Sequence, residues 1–216
     1  MLENAAGGRA PTAVGGAGIV ARMTIPRLLA FAGSTREASL NKQLLRAAVA
    51  MAEGAGAVVT TVDLRELAMP LYDGDLETSS GLPEGAKRLK TLMVSHQGFL
   101  IAAPEYNSSI TGVLKNAIDW ASRAAPGEAP LAAFREKTAA LLSASPGALG
   151  GLRGLVHLRA ILSSLDVLVI PEQFALGKAH EAFDGTGALK DPKQAASVKR
   201  VVERLWSVTK RLSVPA

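Results

Sequence analysis

Five short, almost unbroken apolar runs, each followed by a longer amphipathic segment, constrain the fold of this 216-residue chain more than any other feature. The runs are RLLAFAG (27–33), AVVTTVDL (57–64), GFLIAAPEY (98–106), KTAALLSAS (137–145) and DVLVIPEQF (166–174). After them come SLNKQLLRAAVAMAEG (39–54), PEGAKRLKTLMVSHQ (83–97), ITGVLKNAIDWASR (110–123), LGGLRGLVHLRAILSSL (149–165) and DPKQAASVKRVVERLWSVTKRL (191–212), which read as helices. A strand that is apolar throughout, rather than at every second residue, has both faces covered, as in a parallel sheet sandwiched by helices. Right-handed crossovers then predict an α/β fold of three layers, a doubly wound, five-stranded parallel sheet in the order 2-1-3-4-5. The stretch MPLYDGDLETSSGLP (69–83) reads as turns, with a helix starting at Pro83.

The first residues are Gly- and Ala-rich without period, so the expected division is a disordered extension over 1–24 and one domain over 25–216. Met23, which opens MTIPRLLAFAGS, is a candidate start. No apolar stretch is long enough to cross a bilayer. The chain has no Cys, which excludes disulfides, iron–sulfur clusters and thiolate zinc, and a cytoplasmic address fits. The net charge is +5, but Lys and Arg are scattered. Their one dense segment, KRVVERLWSVTKRL, carries Val201, Val202, Leu205 and Trp206 at helical spacing, so its charges mark a solvated face rather than a nucleic-acid site. His96, His157 and His180 fit no metal or triad spacing.

In such a fold, ligands bind beyond the carboxyl ends of the strands. The loops there are GSTREASLN (33–41), PEYNSS (104–109) and SASPGALGG (143–151). The first lacks the spacing of a dinucleotide loop and the lysine of a nucleoside-triphosphate loop. Its hydroxyls, its arginine and the helix start behind it suit a phosphate monoester, although Ser39 equally suits a plain N-cap. Glycines in the third loop permit close backbone approach to a ligand or serve an ordinary turn. Taken alone, Tyr106 reads as a surface tyrosine and Asn107 as a helix cap.

Taken together, GSTREASLN, PEYNSSITGVLKNAIDW and SPGALGGLRGLVHLR, with MPLYDGDLE, resemble the NADPH-dependent FMN reductase family, flavodoxin-like proteins that include quinone and chromate reductases. The resemblance runs from about residue 27 to 210. It implies that Ser34, Arg36, Ser39, Leu40 and Asn41 hold the FMN phosphate. Pro104, Glu105, Tyr106 and Asn107 would border the isoalloxazine with Ser108 close by, and Ser145 and Gly147 would touch the flavin. It further implies hydride transfer from NADPH or NADH through the flavin to a small-molecule acceptor such as a quinone, chromate or free flavin, with no side-chain nucleophile or base and no metal. Family members form homodimers or homotetramers, to which the helix bearing Lys115, Asn116, Asp119 and Trp120 contributes; Trp120 equally fits a buried residue with its indole satisfied. No partner in nucleic acid or membrane is expected. The rival readings are a flavodoxin-type electron carrier and a hydrolase, the latter lacking any G-x-S-x-G elbow.

Overall fold

The computed structural model describes residues 25–213, so the expected extension over 1–24 lies outside the described residues. In chain order the elements are β1 (Arg27–Ala32), α1 (Leu40–Gly54), β2 (Val58–Asp63), a 3-10 turn (Leu64–Leu67), α2 (Gly74–Ser80), α3 (Glu84–Ser95) and β3 (Gly98–Ala102). There follow β4 (Glu105–Tyr106), β5 (Ser109–Ile110), α4 (Gly112–Ala121), β6 (Thr138–Ala144), α5 (Leu152–Ser164), β7 (Leu168–Leu176) and α6 (Pro192–Leu212).

Five strands form one sheet in the order β2-β1-β3-β6-β7, and every pairing in it is parallel. Three short elements, β4, β5 and α2, were not expected. Strands β4 and β5 form a separate antiparallel hairpin inside a predicted loop, which displaces the anticipated strand numbering. Helix α2 occupies part of the predicted turn region. Asp73 caps it by accepting from the Asp75 N–H (2.8 Å), and it buries no residue, so no apolar period announces it.

The central strands are apolar throughout because alternate residues feed two cores. Leu28, Ala30, Leu100, Ala140 and Leu142 meet α1 and α6 on one face. Leu29, Phe31, Phe99, Ile101 and Leu141 meet α3, α4 and α5 on the other. In α6, Val198, Val201, Val202, Leu205 and Trp206 are buried at spacings of three and four, which leaves the lysines and arginines of that segment outside. Edge strand β7 contains Pro171, which donates no ladder hydrogen bond. Its pairing with β6 shifts register between Ala139 and Leu141, opposite that proline.

His96 ends α3 fully buried. Its Nδ1 lies 2.6 Å from the Leu92 carbonyl, which only accepts, so Nδ1 donates and Nε2 accepts from the Thr60 hydroxyl at 2.8 Å. Burial disfavours the imidazolium and lowers the pKa, to which Arg27 and Lys137 add repulsion while the Leu92 bond opposes. Because the folded pKa is the depressed one, the unfolded chain takes up the proton first as pH falls. Stability is therefore complete above the ordinary histidine range, about 6.5, and declines below it by up to ~1.4 kcal/mol per pH unit. Denaturant melts of the wild type from neutral pH to 5 should show this slope, and His96→Gln should remove it; parallel slopes would contradict the assignment.

Candidate functional site

Strands β1, β3 and β6 are neighbours in the sheet, so the loops at their carboxyl ends stand side by side. They enclose a cleft of about 180 Å³. The first loop contributes Ser34, Arg36, Ser39, Leu40 and Asn41 to its walls, and the second Pro104, Glu105 and Tyr106. The third contributes Ser145 together with Ala144 and Pro146, two residues that no sequence signal singled out beyond their place at a strand end. Of the residues expected from sequence, Asn107, Ser108 and Gly147 stand outside the lining.

The first loop is prepared for an anion. The Ser34 hydroxyl accepts from the Arg36 N–H (3.3 Å) and the Ser39 hydroxyl caps α1 by accepting from the Lys42 N–H (3.4 Å). A helix start leaves its first N–H groups without intrahelical partners, here those of Leu40 and Asn41, and the helix dipole adds partial positive charge. Arg36 is exposed and meets no carboxylate among the described residues, since the adjacent Glu37 pairs with Arg65 at 2.7 Å. Two hydroxyls, one guanidinium and a helix N-terminus in one cleft match a phosphate monoester.

The amide of Asn41 is committed elsewhere. It is buried, its Nδ2 donates to the Ala144 carbonyl (2.8 Å) and its Oδ1 accepts from the Ala144 N–H (3.0 Å). Only the backbone of Asn41 remains for an anion.

The second loop turns at Pro104 and immediately forms the β4–β5 hairpin, in which Tyr106 pairs with Ser109. The two residues between them, Asn107 and Ser108, have φ of 50° and 66°. Both values are those of a type I′ turn, the two-residue connection whose twist matches its strands. The Glu105 carboxylate points away from solvent, pairing with Arg153 and accepting from the Gly154 N–H at 3.1 Å in the first turn of α5. Burial raises its pKa, but Arg153 and that N–H outweigh it and hold the carboxyl below its usual range. Glu105 thus ties the hairpin to α5, and Tyr106 is left half exposed at the cleft rim.

In the third loop, the residues needing glycine are Gly150 (φ 64°) and Gly151 (φ 91°) rather than Gly147. A Cβ on Gly150 would stand 2.7 Å from the backbone of β7, and one on Gly151 only 2.0 Å from the Ser143 hydroxyl. Ser145 closes the turn by accepting from the Gly147 N–H at 3.2 Å. Outside the cleft, Asn116 and Trp120 both donate to the Pro70 carbonyl at 2.8 Å. They strap the segment before α2 onto α4, which accounts for a burial that sequence left open.

Comparisons with known proteins bear on the family and the fold. The model of the family described as NADPH-dependent FMN reductase matches residues 26–181. A probable NADPH:quinone oxidoreductase of Oryza sativa is 36% identical over 191 residues, covering 86% of this chain and 90% of the relative. An NAD(P)H-dependent FMN reductase of Pseudomonas aeruginosa is also 36% identical, over 187 residues covering 86% of this chain and 96% of its own. Among solved structures, the flavoenzyme NAD(P)H:(acceptor) oxidoreductase FerB of Paracoccus denitrificans superposes with a TM-score of 0.72 at 27% identity, covering 87% of this chain and 98% of that one.

The strained turn at the rim is open to test. Glycine adopts positive φ without the Cβ clash that serine has there, so Ser108→Gly should stabilise the protein by about 0.5–1 kcal/mol. Thermal denaturation measures this, and a destabilised variant would show that the Ser108 side chain holds the turn.

Proposed function

The chain belongs to the NADPH-dependent FMN reductase family, and from that premise we propose how its cleft is used. The protein is an FMN-dependent NAD(P)H oxidoreductase that delivers electrons to quinone acceptors. When bound, FMN supplies the redox chemistry, accepting hydride from NAD(P)H and passing two electrons to the acceptor. One observation carries the assignment of the cleft. Arg36, the hydroxyls of Ser34 and Ser39 and the N-terminus of α1 converge beside the wall formed by Pro104, Glu105 and Tyr106.

On this reading Ser34, Arg36 and Ser39, with the N–H groups of Leu40 and Asn41, hold the phosphate. The Pro104–Tyr106 wall, with Asn107 and Ser108 at the hairpin tip, borders the isoalloxazine. Ser145 and Gly147, with Ala144 and Pro146, approach it from the third loop. The side chains bind and orient; none has to act as acid, base or nucleophile, so the scattered histidines are no obstacle. The same open rim would serve chromate or free flavin as acceptor. We take residues 25–216 as one flavodoxin-like, doubly wound domain, ordered 2-1-3-4-5 once the hairpin is set aside, in a cytoplasmic protein. A one-electron carrier is the weaker reading, because the named relatives are NAD(P)H oxidoreductases.

Self-association belongs to the same reading. Leu149, Leu152 and Val156, at spacings of three and four, are 55%, 42% and 59% exposed in and just before α5, the helix that Glu105 ties to the hairpin. A second copy of the chain would cover this apolar face, giving a homodimer or, with a further contact, a homotetramer. Val156→Asp should then shift the mass measured by light scattering towards the monomer; an unchanged mass would contradict this interface.

The cofactor assignment is tested at Arg36. Replacing it with alanine should weaken FMN binding roughly tenfold to a hundredfold, the scale of a hydrogen bond to a charged group. Wild-type protein should also oxidise NADPH steadily with benzoquinone. Unaltered FMN affinity in Arg36→Ala would remove the phosphate cradle from the account.

A further inference from the structure

Among the expected phosphate ligands, Asn41 has the least freedom to be one. Its side chain is 3% exposed and makes two hydrogen bonds to a single peptide position, Ala144, 103 residues away. The reason lies in the sheet. Along β6, Leu142 and Ala144 present their peptide groups to the β3 side, while Ser145 presents its N–H to the Leu176 carbonyl of β7 at 3.0 Å. The Leu142 carbonyl is met by the Ala103 N–H (2.8 Å), the last donor before β3 reaches Pro104. The next donor in that register would be the Glu105 N–H, but from Pro104 the chain leaves the sheet for the hairpin, so Ala144 faces no strand. The carboxamide of Asn41 donates and accepts at once and replaces the missing peptide group.

We propose that Asn41 is a positioning residue of the flavin site, a surrogate strand peptide that fixes the third loop, Ala144 to Gly147, against the start of α1. It thereby sets the separation between the anion cradle and the loop facing the ring. This rests on the FMN reading of the cleft. Aspartate cannot replace asparagine at neutral pH, because a carboxylate accepts but does not donate to the Ala144 carbonyl. Protonated aspartic acid has both functions and nearly the same shape.

The distinction between positioning and phosphate binding is measurable with FMN and riboflavin, which share the ring and differ in the phosphate. Fluorescence titration of both flavins with the full-length chain is expected to show that Asn41→Leu weakens them by the same factor, about tenfold. Arg36→Ala should weaken FMN alone. Amide exchange on the flavin-free proteins should show accelerated exchange at Ala144 in Asn41→Leu, with Leu100 and Leu141 still protected. Should Asn41→Leu fail to fold, Asn41→Asp serves instead, and its riboflavin affinity should recover as pH falls through the range of its carboxyl. Loss of FMN binding with riboflavin binding intact would make Asn41 a phosphate ligand and overturn the proposal. So would unchanged exchange at Ala144, or an aspartate variant without acid recovery. Wild-type protein that took up neither flavin would overturn the cofactor reading itself, an outcome on which the exchange at Ala144 does not depend.

Discussion

Three adjacent parallel strands of this protein end at nearly the same level, and the peptide groups at those ends must be satisfied by something other than another strand. An unpaired backbone group shielded from water costs on the order of 1–3 kcal/mol, so the requirement is strict. The Gly33 N–H is still met by a strand, donating to the Ala102 carbonyl of β3 at 2.9 Å, but the Gly33 carbonyl accepts from the Thr111 hydroxyl at 2.6 Å. Ala144 is met by Asn41. These two side-chain contacts each join one loop to the element behind another, so the loops cannot be placed independently. Gly33 is also held to glycine by space, as a Cβ there would stand 2.9 Å from the side chain of Leu114. The cleft is what remains once these obligations are met.

Charge follows the same division of labour. The helix starts of α1 and α5, both at the strand ends, are charged differently. The start of α5 is already neutralised by Glu105. The start of α1 has hydroxyls and Arg36 but no carboxylate. An incoming anion therefore meets one attractive end and one occupied end, which orients a ligand with a phosphate at one pole. The half-exposed Tyr106, with Pro104 and Pro146 of the cleft lining, suits the uncharged remainder of such a ligand.

Much of the fold was legible in the sequence because burial on both faces leaves a direct mark. LLAFAG and GFLIA are apolar at every position, and the helices between strands repeat every three or four residues. The placement of chemistry at strand ends followed from topology, and the motif resemblance supplied the flavin. Less legible was anything decided by long-range partners. GSTREASLN shows an asparagine but not that its amide reaches a residue on β6. PEYN shows an acid, yet its commitment to α5 depends on the first turn of a helix some fifty positions later. The hairpin was hidden because its strands have two residues each and its turn is Asn-Ser rather than the usual Asn-Gly. Helix α2 was hidden because it buries nothing.

The central claim is that the three loops together seat a single flavin mononucleotide within reach of a dinucleotide donor. The visible absorption spectrum of the purified protein, recorded before and after anaerobic addition of NADPH, tests it most directly. The account predicts a yellow protein, or one that becomes yellow by retaining added FMN through desalting, whose colour NADPH bleaches. A protein that stays colourless after exposure to FMN would contradict it.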